Sequence, residues 1–189
     1  MAAKLSICLV VKNEERFLQS CLNSIAGIAD EIIIVDTGST DRTIEIAKQY
    51  TDEVFFLEWN DDFSDARNFG LERASGEWIF VIDGDEELDP STAQNLKIRM
   101  NQEDAEGFLV KVINYYNAGD QVQTVTDVIF RLFRNRLEYR YSGAIHEQIS
   151  ENIQKVNPHA NFYIAEDICL IHYGYLNETL NAKNKTQRN

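Results

Sequence analysis

Two carboxylates separated by a glycine, Asp83-Gly84-Asp85, close the apolar run from Trp78 to Ile82 and carry the strongest chemical signal in the chain. Residues i and i+2 of an extended segment point the same way, and a glycine between them lets backbone and ligand approach closely. Convergent carboxylates repel each other unless a cation lies between them. The ion that suits them is hard and divalent, Mg2+ or Mn2+, with its other positions filled by phosphate and water. A solvated acidic turn reads the same over so short a stretch, because Asp89-Pro90 signals the start of a helix. Position favours a site: ligands of open α/β sheets bind at the carboxyl ends of strands, which is where the polarity changes here.

A buried strand needs neighbours. Leu5 to Val11 is apolar but for Ser6, as a central parallel strand would be. Asn13 stands where it can cap the next helix, whose Phe17, Leu18, Cys21, Leu22 and Ile25 fall on one face. Glu31 to Val35 reads as a second strand ending at Asp36. Thr37-Gly38-Ser39-Thr40-Asp41 then makes a turn whose Ser or Thr caps a helix turning Ile44, Ala47 and Tyr50 inward. Val54 to Leu57 is a third strand, and Phe63, Ala66, Arg67, Gly70, Leu71 and Ala74 keep a helical period. This alternation predicts the α/β class and a doubly wound parallel sheet with the Trp78 strand as its fourth. Beyond a helix from about Pro90 to Met100 the pattern changes. Phe108 to Tyr116 and Val125 to Arg134, joined by a turn at Asn117-Ala118-Gly119-Asp120, read as strands, as do shorter pieces at Leu137 to Tyr141 and Phe162 to His172. They look like antiparallel strands added to the first sheet.

Composition narrows the function. A chain of 189 residues that is 44% hydrophobic and 11% aromatic, with two prolines, is expected to be compact. Its net charge of -13 argues against a nucleic-acid binder, and any anionic ligand would need a metal or a focused basic cluster. Cys8, Cys21 and Cys169 are far apart in apolar stretches, which suits buried thiols better than disulfides or zinc. Leu5 to Val11 is too short for a signal sequence or a membrane span, so a soluble, cytoplasmic protein is expected, with peripheral membrane contact left open. No Gly-x-Gly-x-x-Gly follows the first strand, which disfavours nicotinamide and flavin cofactors. No Gly-rich phosphate loop stands there either, which disfavours a nucleotidyltransferase.

Four motifs in order, Lys12-Asn13-Glu14-Glu15, Val35-Asp36-Thr37-Gly38-Ser39-Thr40-Asp41, Ala66-Arg67-Asn68-Phe69-Gly70 and Asp83-Gly84-Asp85-Glu86, resemble the family 2 glycosyltransferases with the GT-A fold. The second half is similar to a subgroup of bacterial enzymes that glycosylate cell-surface glycans or peptides, often with helical repeats after the catalytic domain. The residues that carry this likeness are Arg131-Leu132-Phe133-Arg134, Gly143-Ala144-Ile145-His146-Glu147 and Ile171-His172-Tyr173-Gly174-Tyr175. The resemblance implies one domain over 1–189 on a doubly wound mixed sheet. Residues 1–100 would form a nucleotide-sugar-binding half, 101–176 an acceptor-side half, and 177–189 a tail where a helical region begins.

It further implies an inverting, metal-dependent transfer of a sugar from a nucleotide-diphosphate donor, by preference a UDP-sugar, to a glycan, lipid-linked or peptide acceptor. Asp36 would accept from the base, although Thr37 stands where the family often has a second acid. Val10, Val11 and the stem of Lys12 would line the base pocket. Arg67 would stabilise base or diphosphate, the alternative being an ion pair with an acid such as Asp65. Asp83 would contact the ribose beside Gly84, and Asp85 would hold Mg2+ or Mn2+, joined by His172. Arg131 or Arg134 would reach the diphosphate. Glu147, with His146 beside it, resembles the base that deprotonates the acceptor, the alternative being an ion pair with Arg131 or Arg134. The competing reading is a nucleotide-sugar-binding or scaffolding module without turnover. Sugar, acceptor identity and oligomeric state stay open.

Overall fold

The computed structural model describes residues 3–119, 121–144 and 147–176, so Asp120, Ile145, His146 and the tail 177–189 lie outside the described residues. Four strands, β1 (Leu5–Val11), β2 (Glu31–Asp36), β3 (Val54–Phe56) and β4 (Trp78–Val81), run parallel in the order β3-β2-β1-β4. Helices cover both faces, which is why these strands read as unbroken apolar runs. Leu5, Ile7, Leu9 and Val11 of β1 pack into one cluster with α1 (Leu18–Ile25), α2 (Thr43–Ala47) and α4 (Ala93–Arg99). Cys8 joins the opposite cluster with Leu71 of α3 (Phe63–Leu71) and Ile153 of α5 (Ser150–Val156).

The sheet continues through β7 (Gln121–Arg134), β6 (Ala105–Ala118), β8 (Asn161–Tyr175) and β5 (Glu86–Leu88). β7 runs antiparallel to β4, pairing Trp78 with Arg134 and Phe80 with Leu132, and it forms a long hairpin with β6. The added strands are therefore antiparallel where β7 meets β4 and β6. β8 departs from that expectation and lies parallel to β6.

Several local expectations give way. Asn13 has a φ of 56° and does not cap α1; its Oδ1 accepts from Thr40 N at 2.8 Å and ties the first strand's exit to the Ser39-Thr40 turn. Asp41, rather than a Ser or Thr, accepts from Thr43 N at the start of α2. Ile44 and Tyr50 are only half-buried there, while Thr43 and Ile46 are buried. Phe63 is exposed, and α3 starts on Asp62, whose carboxylate accepts from Ser64 N and Asp65 N. The helix expected from Pro90 covers only Ala93–Arg99, because Asp89 holds the preceding residues in a turn through Ser91 N. Residues 137–141 form no strand: Leu137 is 83% exposed, whereas Tyr139 and Tyr141 pack into the core.

Candidate active site

The carboxyl ends of β1, β2 and β4 meet the middle of β7 and the end of β8, and the charged side chains converge there. Arg67 leaves α3 toward the turn that follows β4. It donates from Nη2 to Asp83 Oδ1 at 3.1 Å and from Nε to Glu147 Oε1 at 2.7 Å. Arg131, one position beyond the strand pairs that hold β7 to β4, donates to Asp83 Oδ2 and Glu86 Oε1, both at 2.8 Å. Asp65 plays no part; it accepts from Asn60. The expected alternatives, Arg67 with Asp65 and Glu147 with Arg131 or Arg134, are thus replaced by one network, Glu147–Arg67–Asp83–Arg131–Glu86. Its members are largely buried, as charges in a low-dielectric site must be if they are paired. Arg67 Nη1 and Arg131 Nε are buried without a partner among the described residues, an unmet donor on each guanidinium.

The electrostatics follow from this geometry. Burial works against the charge on Asp83, but Arg131 and Arg67 outweigh it and hold the carboxyl well below the usual range. Glu86 goes the other way: burial, its largest influence, pushes it up to about 7 in spite of Arg131. Asp83 is therefore the fixed anion of the site and Glu86 the carboxyl that can carry a proton near neutrality. Glu86 also accepts from Asp83 N at 2.9 Å, which fixes the turn through Gly84. A side chain at Gly84 would press on Glu14 and Val11, so the glycine permits the close packing of this turn on the end of β1.

Asp85 points to a second group. Its Oδ2 lies 3.4 Å from His172 Nε2; Asp85 is buried and His172 half-buried. His172 Nδ1 is 2.8 Å from Asn114 Oδ1, while Asn114 Nδ2 donates to Asp127 Oδ2 at 2.9 Å. Because a carboxylate only accepts, Asp127 fixes which end of the Asn114 amide faces the imidazole, and the amide oxygen then places the proton on Nδ1. The lone pair of Nε2 faces a carboxylate oxygen, an arrangement that calls for a proton or a metal ion between them. Burial opposes protonation of His172, but the hydrogen bond and charge of Asp85 prevail and raise its pKa. Gly174 is required beside this pair, since a methyl group there would collide with both His172 and Asp85.

The Glu147 loop is held by α3. Asn68 Nδ2 donates to Tyr141 O at 3.0 Å and Tyr141 N donates to Asn68 Oδ1 at 2.8 Å, while Ser64 Oγ donates to Gly143 O at 2.7 Å. The bridge between Ser142 and Gln148 closes the loop. Arg67-Asn68 thus acts as a unit, the first residue binding the carboxylate and the second the backbone that presents it. His146, expected beside Glu147, lies outside the described residues.

On the nucleotide side, Asp36 ends β2 buried, and its oxygens accept from Gly38 N at 3.0 Å and Ser39 N at 3.1 Å. The turn is possible because Gly38 adopts a φ of 102°. Val11 O accepts from Thr37 N at 3.0 Å, joining the ends of β1 and β2. Val10 is half-buried beside Arg67 and Tyr141, around a small cavity of about 10 Å³, and Lys12 is exposed. Arg134 is not brought to the site. It stands opposite Trp78 at the amino end of β4, its guanidinium 4.3 Å from the indole ring centre and donating to Ala105 O. Two positions along β7 from Phe80's partner is enough to put it at the wrong edge of the sheet. Among the described residues no group of three or more His, Cys, Asp and Glu side chains stands close enough to hold a metal alone.

The eight-stranded mixed sheet with its site at this edge is the GT-A fold of nucleotide-sugar transferases. It superimposes on Staphylococcus aureus TarS residues 1–349 with a TM-score of 0.68 at 20% identity, covering 90% of this chain and 60% of that one. Mannosyltransferase PcManGT of Pyrobaculum calidifontis gives a TM-score of 0.68 at 14% identity, over 93% of this chain and 59% of that one. The chain belongs to glycosyl transferase family 2, whose sequence pattern matches residues 6–161. A TPR repeat-containing protein of Synechococcus elongatus is 34% identical over 189 residues, 98% of this chain and 46% of that protein. The SPbeta prophage-derived glycosyltransferase SunS of Bacillus subtilis is 30% identical over 191 residues, 96% of this chain and 42% of that one. The chain therefore spans under half the length of these curated relatives.

Proposed function

We propose that the chain is the catalytic domain of an inverting, metal-dependent glycosyltransferase that moves a sugar from a UDP-linked donor to a glycan, lipid-linked or peptide acceptor. The observation that carries this reading is the paired arrangement at the carboxyl edge: Asp83 fixed between Arg67 and Arg131, and Asp85 facing His172. The nucleotide assignment draws on TarS, solved in complexes with UDP and with UDP-GlcNAc. The metal draws on PcManGT, solved with GDP-Man and Mn2+, and on a mycobacterial glucosyl-3-phosphoglycerate synthase, solved with Mn2+ and UDP.

The residues present fit such an ion. Asp85 Oδ2 and His172 Nε2, 3.4 Å apart, offer a carboxylate oxygen and an imidazole lone pair that would hold such an ion. Two protein ligands are few, so a diphosphate and water would complete the shell. When bound, Mg2+ or Mn2+ neutralises the charge that develops on the departing diphosphate. The chain's own residues do the rest. Asp36 and the main chain of Val10 and Val11 receive the base, with the Lys12 stem at its rim, and Asp83 receives the ribose. Arg67 and Arg131 would set their positive charge beside the diphosphate. Glu147 is held through Oε1, leaving Oε2 to take the proton of the acceptor hydroxyl. The acceptor oxygen bonds to the anomeric carbon as the bond from that carbon to the diphosphate oxygen breaks, so configuration inverts.

The test is calorimetric titration of UDP, with GDP as control, with and without Mn2+, on the wild type and on Asp85→Ala. Mn2+-dependent UDP binding that Asp85→Ala abolishes is expected. Equal, metal-independent binding by both proteins would sink the metal assignment.

A further inference from the structure

The distal half of β7 is an open edge. β4 stops pairing with β7 at Phe80 and Leu132, so from Ile129 back to Gln121 β7 has β6 on one side and, among the described residues, no strand on the other. Residues 121–129 are exposed throughout, with Val122 57%, Val125 49% and Val128 45% accessible. Natural sheets blunt such edges with lysine, proline, bulges or inward charges. Between 121 and 130 there is no Lys, Arg or Pro, and the one charge, Asp127, is tied to Asn114. No register shift interrupts β7 in this stretch.

We propose that this edge pairs antiparallel with the same edge of a second copy of the chain, about a two-fold axis through Val125. The order Val122-Gln123-Thr124-Val125-Thr126-Asp127-Val128 reads alike in both directions from its centre. Paired about Val125, the two strands set Val125 against Val125, Thr124 against Thr126, and Val122 against Val128. β-Branched and Thr–Thr pairs of this kind stabilise antiparallel sheets, and a two-fold interface requires self-complementarity of this sort. Asp127 of each copy meets Gln123 of the other, whose amide donates to it, so like charges never face one another. That selects a second copy as the occupant. A protein of net charge -13 repels its own copies over most of its surface and can meet itself only where charge is sparse.

The ladder is short. Nine paired residues bury less than the ~1,600 Å² of a standard stable interface, so the dimer is weak and reversible. The pairing also bears on the site, because β7 carries Arg131 and Asp127 on the same strand.

Sedimentation velocity of the 189-residue protein from about 1 to about 200 µM tests it. A reversible monomer–dimer transition is expected. Val125→Lys sets two ammonium groups opposite each other on the axis and should raise Kd at least about tenfold. Its circular dichroism and melting temperature should not change, since Val125 is exposed. Val125→Cys should form a disulfide-linked dimer under mild oxidation, with no competition from the buried Cys8, Cys21 and Cys169. A monomer across the whole range overturns the proposal and leaves the edge to an extended segment of another protein. A dimer that Val125→Lys does not weaken, or in which Val125→Cys does not cross-link, overturns it as well.

Discussion

Glu86 is a site carboxyl whose environment the sequence does not announce. The sequence sets it at the end of the Asp83-Gly84-Asp85-Glu86 motif but gives it no role, yet Glu86 is buried against Arg131 and the Asp83 amide while Glu87 stays half-exposed. Alternation along a three-residue strand decides this, and nothing in the local composition announces the strand. Asn114 and Asp127 escaped for a related reason: they lie in a hairpin read for its apolar residues, and their link to His172 depends on a register fixed only by folding. Asp36, Arg67, Asp83, Asp85, Glu147 and His172, by contrast, stand in the motifs, and five of them fall into two contacting groups, Glu147–Arg67–Asp83 and Asp85–His172. Glu86 also carries a pH signature. Its ordinary pKa of 4.5 is raised to about 7 in the folded protein. Between those values the folded chain holds a proton that the unfolded chain has released, so stability should fall as pH rises through that window. Glu86→Gln removes this dependence. Urea unfolding of both proteins at pH 5 and about pH 7.5 should show the wild type losing more stability between them than the variant does; equal losses would mean that Glu86 titrates normally.

At the scale of elements, the alternating first half was readable because each strand is buried on both faces and each helix on one. β1 and β2 fall where hydrophobic runs put them. The failures are elements made by tertiary contact. β5 is an acidic tripeptide that becomes a strand only because β8 pairs with it, Glu86 opposite His172 and Leu88 opposite Leu170. α5 buries a single residue, Ile153, too little for a helical period to register. Residues 137–141 have aromatic side chains that suggest a strand, but they serve as anchors for an irregular segment clamped by Asn68. That clamp makes α3 the element that positions Glu147. Asn68→Ala deletes both bonds to Tyr141 without touching Arg67 or any donor-binding residue. It should lower kcat at least about tenfold, equivalent to ~1.4 kcal/mol in the barrier, with Kd for UDP unchanged. Steady-state kinetics beside calorimetry separates the two; a parallel loss of UDP affinity would show that the clamp supports the whole site and not the Glu147 loop.

For the whole molecule, charge is distributed so that two kinds of association answer salt in opposite directions. The surface is acidic, with 31 Asp and Glu against 18 Lys and Arg. The buried guanidiniums of Arg67 and Arg131 are matched by the carboxyls of Asp83, Glu86 and Glu147, and the β7 edge carries almost no charge. On the proposed reading a diphosphate approaches through a repulsive field and is held by the metal ion together with the two guanidiniums, short-range charge contacts that salt weakens. Two copies meeting at β7 gain little from charge contacts and suffer repulsion from everything around them. Raising ionic strength from about 0.01 M to about 1 M shortens the Debye length from ~30 Å to ~3 Å. That shift removes repulsion between the bodies of the two copies while leaving the strand ladder intact. Dimerisation should therefore tighten with NaCl over this range as Mn2+-dependent UDP binding weakens, measured by sedimentation and calorimetry on the same preparation. Dimers that dissociate as salt rises would mean that ion pairs hold them, and the contact would then have to lie on a charged face rather than along β7.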